Sequence, residues 1–151
     1  MATLQQINEF LKADETIAIA GVSRNKKKFS RMVYDEFKIK GYKVVPINPN
    51  ADEIDGDFCF RTPTSLPPDV KRLLVITNKE ATTEVVKQGL DKGLQHIWIQ
   101  QMSETKEAVD LGGQSDINFI SKHCIFMFAD PVKGLHKFHR GIQRFFRKYP
   151  N

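Results

Sequence analysis

Cysteine is scarce: Cys59 and Cys124 are the two thiols in 151 residues. They are too few and too far apart for a disulfide framework. Each has apolar neighbours, which reads as a buried free thiol rather than a reactive group. Long hydrophobic runs are missing, and nothing approaches the roughly 18 residues of a membrane span. The N-terminus, MATLQQINEFLKADET, carries acids and has no apolar h-region. It reads as neither an anchor nor a signal peptide, and the expected compartment is the cytoplasm. Internal repeats, low-complexity tracts and long linkers are also absent. A single domain over 1–151 is therefore expected, with its core over about 14–128 and an added basic helix over 130–151.

The charge is modestly basic, at +5. Its distribution says more than its total, because the cations gather at Arg24–Arg31 and Lys133–Lys148. Such clusters suit an anionic small molecule. Nucleic acid is the weaker reading, because the aromatic side chains it would stack on are also wanted by the core.

Apolar patterning sets the fold class. Thr16–Ala20, Tyr42–Ile47, Arg72–Thr77 and Gln95–Ile99 are short apolar runs suited to buried strands, with Asp116–Ile120 as a fifth. A short edge strand is expected near Phe58–Phe60. Helical spacing appears in Thr3–Lys12, in the stretch from Ser30 to Gly41, in Lys79–Lys92, and after a Ser103 cap up to Gly112-Gly113. Strands alternating with helices predict an α/β, Rossmann-like doubly wound domain. Its mostly parallel five-stranded sheet, in the order 3-2-1-4-5, would carry helices on both faces.

In such a sheet, ligands sit beyond the carboxyl ends of the strands, where strand order reverses. That edge collects Gly21-Val22-Ser23, Asn48-Pro49, Thr77-Asn78 and Gln100-Gln101. The first of these lies in TIAIAGVSRNKKKFSRM, which runs from strand through a glycine turn to a helix N-terminus, an arrangement that holds phosphate through free N–H groups and the helix dipole. The dinucleotide fingerprint G-x-G-x-x-G is not met, and Asn48-Pro49 stands where an NAD site needs an acid. Arg24, Lys26, Lys27 and Lys28 on the same loop suit a ligand with several phosphates.

Groups for acid–base work are lacking at this edge. His96 opens an apolar strand and reads as structural. His123 and Cys124 are adjacent on extended chain and so point to opposite faces, a poor start for a thiol–imidazole pair. His136 and His139 share a helical face, but Lys137, Arg140 and Arg144 would repel a cation. No catalytic or metal-binding residue is therefore assigned. Leu135, Phe138, Ile142, Phe145 and Phe146 form an apolar stripe beside positive charge, which predicts a helix packed on the domain, or one that docks a second copy or a protein partner.

The residues from IAIAGVSRNKKKFSRM through GYKVVPINPN to EIDG resemble the CoA-binding domain family of small bacterial proteins. That family is related to the N-terminal domain of the succinyl-CoA synthetase α subunit. Gly21, Ser23, Ser30, Gly41-Tyr42, Pro46, Asn48-Pro49 and Ile54-Gly56 carry the likeness, with IWIQQ (Ile97–Gln101) and His123-Cys124 further on. The resemblance spans roughly Ile17 to Cys124. It implies CoA or an acyl-CoA as the ligand. It also implies that Gly21, Val22, Ser23 and Ser30 hold phosphate, that Lys28 or a neighbouring lysine meets its charge, that Asn48, Pro49, Ile76 and Thr77 line the adenosine and pantetheine path, and that Gln100 ends the strand beside it. The expected function is binding without catalysis, in a sensing, carrying or regulatory role. Two alternatives stay open. One is an NADP-type enzyme whose basic loop meets a 2′-phosphate, and the other is an interaction module built on the C-terminal helix.

Overall fold

Thr3 caps the first helix, α1 (Leu4–Phe10), through a reciprocal pair: its hydroxyl accepts the Gln6 N–H, and the Gln6 side chain accepts the Thr3 N–H. The computed structural model describes residues 1–131 of the chain. The 130–151 helix, its apolar stripe and the His136/His139 pair lie almost wholly outside the described residues.

From α1 the chain enters β1 (Ile17–Ala20), then α2 (Phe29–Ile39) and β2 (Val44–Ile47). A small antiparallel hairpin follows, β3 (Glu53–Ile54) with β4 (Asp57–Phe58). The chain then alternates through β5 (Arg72–Val75), α3 (Lys79–Asp91), β6 (His96–Gln100), α4 (Lys106–Gln114) and β7 (Asn118–His123). β1, β2, β5, β6 and β7 form one parallel sheet.

Alternation along the strands sorts the core into two layers, since successive side chains point to opposite faces. Ile17 and Ile19 of β1 face the layer holding Phe10, Val33, Tyr34, Phe37 and Trp98. Ala18 and Ala20 face the other, with Leu73, Val86, Ile97 and Ala108. Thus α1 and α2 cover one face, and α3 and α4 the other. This is the doubly wound α/β architecture expected from the pattern.

Strand order is corrected. Counted along the chain, the five strands of the large sheet lie in the order 2-1-3-4-5, not 3-2-1-4-5. The Arg72–Val75 strand pairs with β1, with Ala18 opposite Leu73. The outer side of β2, where the third strand was expected, takes only a single parallel bridge, Ile47 to Phe60. The physical reason is burial. All four residues of β5 are buried, as an interior strand requires, whereas Val44 and Val45 of β2 are half-buried, as an edge permits. The point of reversal still falls at β1.

Two helix boundaries also differ. Ser103 does not cap α4; Thr105 does, accepting the Ala108 N–H at 3.0 Å, while Ser103 is buried. Gly112 does not end α4 but lies inside it, where a Cβ would meet the Phe119 ring at 2.2 Å. After β7 the chain turns through Cys124 into a short 3-10 helix, Ile125–Met127. It is then tied down by Lys40 Nζ, which donates to the Ala129 carbonyl at 2.8 Å, and by the Tyr42 hydroxyl, which donates to the Asp130 carbonyl at 2.7 Å. Burial pushes the Tyr42 hydroxyl up to about 12, so it stays protonated as a donor.

Candidate functional site

The turn after β1 is shaped by close approach. Gly21 has φ +91°, and a Cβ there would lie 2.1 Å from the Ile76 carbonyl oxygen. Only glycine satisfies both demands. Its N–H donates to the Ile47 carbonyl at 3.0 Å, which fixes the turn to the end of β2.

Short side chains then organise the loop to α2. Ser30 Oγ accepts the Ser23 N–H at 3.2 Å, Ser23 Oγ accepts the Asn25 N–H at 3.0 Å, and Asn25 Oδ1 accepts the Lys27 N–H at 3.0 Å. Lys28 is the N-cap of α2 in extended conformation and supplies no capping hydrogen bond from its side chain. No acid stands in the first turn. The first N–H groups of α2 thus keep their positive end for something other than a side-chain cap.

Arg31 anchors this loop from below and was not anticipated from sequence. Its side chain is 3% exposed, pairs with Asp35 at 2.9 Å and Asp55 at 2.6 Å, and donates to the Arg24 carbonyl at 3.2 Å. The Asp35 hydrogen bond, helped by Asp55, raises its pKa further, so its charge is permanent. One buried guanidinium therefore ties together α2, the basic loop and the β3–β4 hairpin. The sequence signal was an arginine in the first turn of α2 with an aspartate four residues on.

Seven of the predicted residues line one cavity of about 610 Å³: Gly21, Ser23, Lys28, Ser30, Ile76, Thr77 and Gln100. It runs from the turn after β1, past the ends of β5 and β6, to Cys124 after β7. The Gln100-Gln101 end lies at this edge, as the strand pattern predicts, and Phe29, Met102, Ser103 and Cys124 join the wall without a signal in that pattern. Phe29 rests edge-on against Phe126, their ring centres 5.4 Å apart. The lining offers hydroxyls, amides, one ammonium and one thiol, and among the described residues it includes no carboxylate or imidazole.

The other three predicted residues sit differently. Val22 is fully buried, and its carbonyl accepts Asn48 Nδ2 at 2.8 Å. Asn48 Oδ1 accepts the Asn50 N–H at 2.8 Å, so this side chain is spent on holding two loops together. Pro49 lines a second cleft of about 290 Å³ with Ile47, Thr62, Pro63 and Val85. Gly21 and Thr77 belong to both clefts, which therefore meet at the turn. Arg61 and Thr62 of this second cleft come from the irregular connector, where no periodic pattern marked them.

The thiols divide sharply. Cys59 is 2% exposed, and burial pushes its thiol pKa up. Cys124 is half-buried and faces the larger cavity. Among the described residues, no group of three or more His, Cys, Asp or Glu side chains is arranged to hold a metal ion, and no helix is long and apolar enough to cross a membrane.

The chain has relatives among known proteins. The chain is 25% identical over 120 residues to the uncharacterized protein YneT of Bacillus subtilis, covering 80% of this chain and 89% of that one. It is 22% identical over 120 residues to the α subunit of an ADP-forming acetate–CoA ligase from Pyrococcus furiosus, of which it spans 26%. Among solved structures, a conserved hypothetical protein from Pyrococcus furiosus superposes with a TM-score of 0.70 at 29% identity, covering 74% of this chain and 96% of that one. The family model described as CoA binding domain matches residues 15–130, a span that holds the glycine turn and both clefts, and the chain accordingly belongs to the CoA-binding domain family.

Proposed function

We propose that the protein binds CoA or an acyl-CoA at the carboxyl edge of its sheet and does not catalyse a reaction alone. The observation that carries this reading is the Gly21 turn, pressed against Ile76–Thr77 and opening directly onto the N-terminus of α2. A diphosphate fits there because the N–H groups need acceptors. Ser30, whose oxygen already accepts from Ser23, retains a hydroxyl hydrogen to donate. Lys28 adds a positive charge beside the same space. Adenosine belongs in the second cleft against Pro49, on the β2 side, and pantetheine in the larger cavity past Ile76, Thr77 and Gln100.

The lining of the larger cavity offers donors and apolar walls, and among the described residues the one carboxylate of the two clefts, Glu84, lies in the second, which fits a binding reading. The match covers only 26% of the acetate–CoA ligase subunit, so that subunit's activity is not carried over to this chain. The role that remains is to sense, carry or present a CoA species.

Thermal shift with CoA, NADP and ATP tests the reading. A ligand at about a hundred times its dissociation constant stabilises by about 2.7 kcal/mol, so CoA should give a clear rise and NADP a smaller one. Ser23→Asp sets a carboxylate where phosphate should lie and should abolish the CoA response. No response of the wild-type chain to millimolar CoA overturns the reading, and an unchanged response in Ser23→Asp moves the phosphates elsewhere.

A further inference from the structure

Cys124 is the thiol in the cavity lining, and binding alone gives it no role. Its place along the crevice is informative. If the diphosphate sits at the turn after β1 and adenosine lies toward β2, the pantetheine arm must run the other way, across the ends of β5 and β6 toward β7. From β1 to β7 is three strand spacings, about 14 Å. The arm from diphosphate to sulfur matches roughly four residues of extended backbone, also about 14 Å. An arm of that length reaches the part of the cavity that Cys124 lines.

A second observation marks that path. Gln100 lines the cavity and is 4% exposed. The Ile125 N–H donates to its Oε1 at 3.0 Å, and that donor fixes which way the amide is turned. What Gln100 has left to offer at the cavity wall is the amide Nε2, a donor. Pantetheine, with two amide carbonyls along its length, supplies the matching acceptor.

Resting on the CoA reading, we propose that Cys124 forms a mixed disulfide with the pantetheine thiol when the ligand arrives as a CoA disulfide. The Cys124 thiol loses its proton to solvent, and its thiolate attacks one sulfur of the CoA–CoA bond. The Cys124–CoA bond forms, the original S–S bond breaks, and the second CoA leaves as a thiolate. The cysteine is oxidised and the CoA disulfide reduced, so no further oxidant enters. The site then reports the redox state of the CoA pool by locking one CoA in place, and a small thiol reverses it.

The test uses the full chain with CoA disulfide, read by intact mass and peptide mapping, beside thermal shift with reduced CoA. The expected adduct is one CoA less two hydrogens, on Cys124 and not on Cys59, lost on adding reductant and absent in Cys124→Ser. Its rate should saturate with CoA disulfide and exceed that with cystamine, a disulfide lacking the nucleotide, by about tenfold or more, because binding places the sulfurs together. Ser23→Asp should remove that advantage. Equal rates with the two disulfides, or equal labelling of Cys59, overturn the inference. Stabilisation by reduced CoA without any adduct overturns the inference and leaves CoA binding standing, whereas no stabilisation overturns both.

Discussion

The two ends of the sheet are built from the same strands and finished in opposite ways. At the amino end, Arg72, His96 and Asn118 open β5, β6 and β7, and each is engaged within the chain. Arg72 is 3% exposed, donates to the Glu9 carbonyl at 3.0 Å, and lies 3.5 Å from both Glu9 and Glu15 carboxylates. Asn118 Nδ2 donates to the Gln6 carbonyl at 2.8 Å and meets His96 Nδ1 at 3.2 Å. Through Glu9 and Gln6, α1 closes this end. At the carboxyl end, Gly21, Ser23, Ser30, Thr77 and Gln100 border open space instead. The difference teaches where to look for function: at the amino end the Arg72 and His96 side chains and the Asn118 amide nitrogen are engaged within the fold, with the Asn118 Oδ1 left buried and unpaired, whereas the carboxyl end borders an open cavity.

The contrast breaks most completely at Gly21. In Gly21→Val, the new side chain would have to occupy a left-handed φ and overlap the Ile76 carbonyl. Strain of that kind costs about 1–3 kcal/mol before the overlap is counted. A large drop in thermal midpoint together with loss of the CoA response is expected. A variant that keeps the CoA response would show that the turn is not where the ligand sits. The matching change at the other end is Arg72→Met, which keeps the stem and removes the charge, leaving the Glu9 carbonyl without its donor. A loss of about 2 kcal/mol in urea unfolding is expected, with the CoA-induced rise in midpoint unchanged. If that rise falls too, the two ends are coupled through β5 and the contrast is weaker than the geometry implies.

Much of this was legible in the sequence, for a physical reason. Runs such as IAIA, RLLV and HIWIQ must be buried strands, and a glycine followed by serines at a strand's end is how a chain turns to face a phosphate. Strand order was not legible, because the connector from Ala51 to Val70 lets β5 dock on either side of the β1–β2 pair without breaking handedness. Only the graded burial of VVPI against RLLV separates the two, and both look apolar in one dimension. Arg31 escaped because a buried arginine and a surface arginine are spelled alike; Asp35 on the same helix is visible at i+4, but Asp55 comes from the distant hairpin. The second cleft escaped because Thr62 and Pro63 belong to a stretch without period.

The smallest expected effect tests how tightly the amino end is closed. The Gln6 carbonyl can only accept, so it fixes Nδ2 of Asn118 as the nearby donor, and the remaining N–H of that amide is what faces His96 Nδ1. His96 Nδ1 must therefore be an unprotonated acceptor, and the ring is held neutral. Burial is the main cause of a lowered His96 pKa, and Arg72 and Lys12 add to it against the opposing pull of Glu9 and Glu15. The sign follows. With the folded pKa below the unfolded value of about 6.5, the unfolded chain takes up a proton first as pH falls. The contribution of His96 to stability is complete above about pH 6.5 and is lost as pH drops through the folded pKa. His96→Gln keeps an acceptor for Asn118 and cannot titrate, so its advantage over wild type should grow as pH falls from about 7.5 to about 5. The readout is the difference between the two urea midpoints at each pH, which cancels the carboxylates common to both chains. Parallel curves would mean that His96 ionises as freely in the folded chain as in the unfolded one. In that case Asn118 must be able to turn away from Gln6, and the amino end would be open to water in the way that only the carboxyl end is here taken to be.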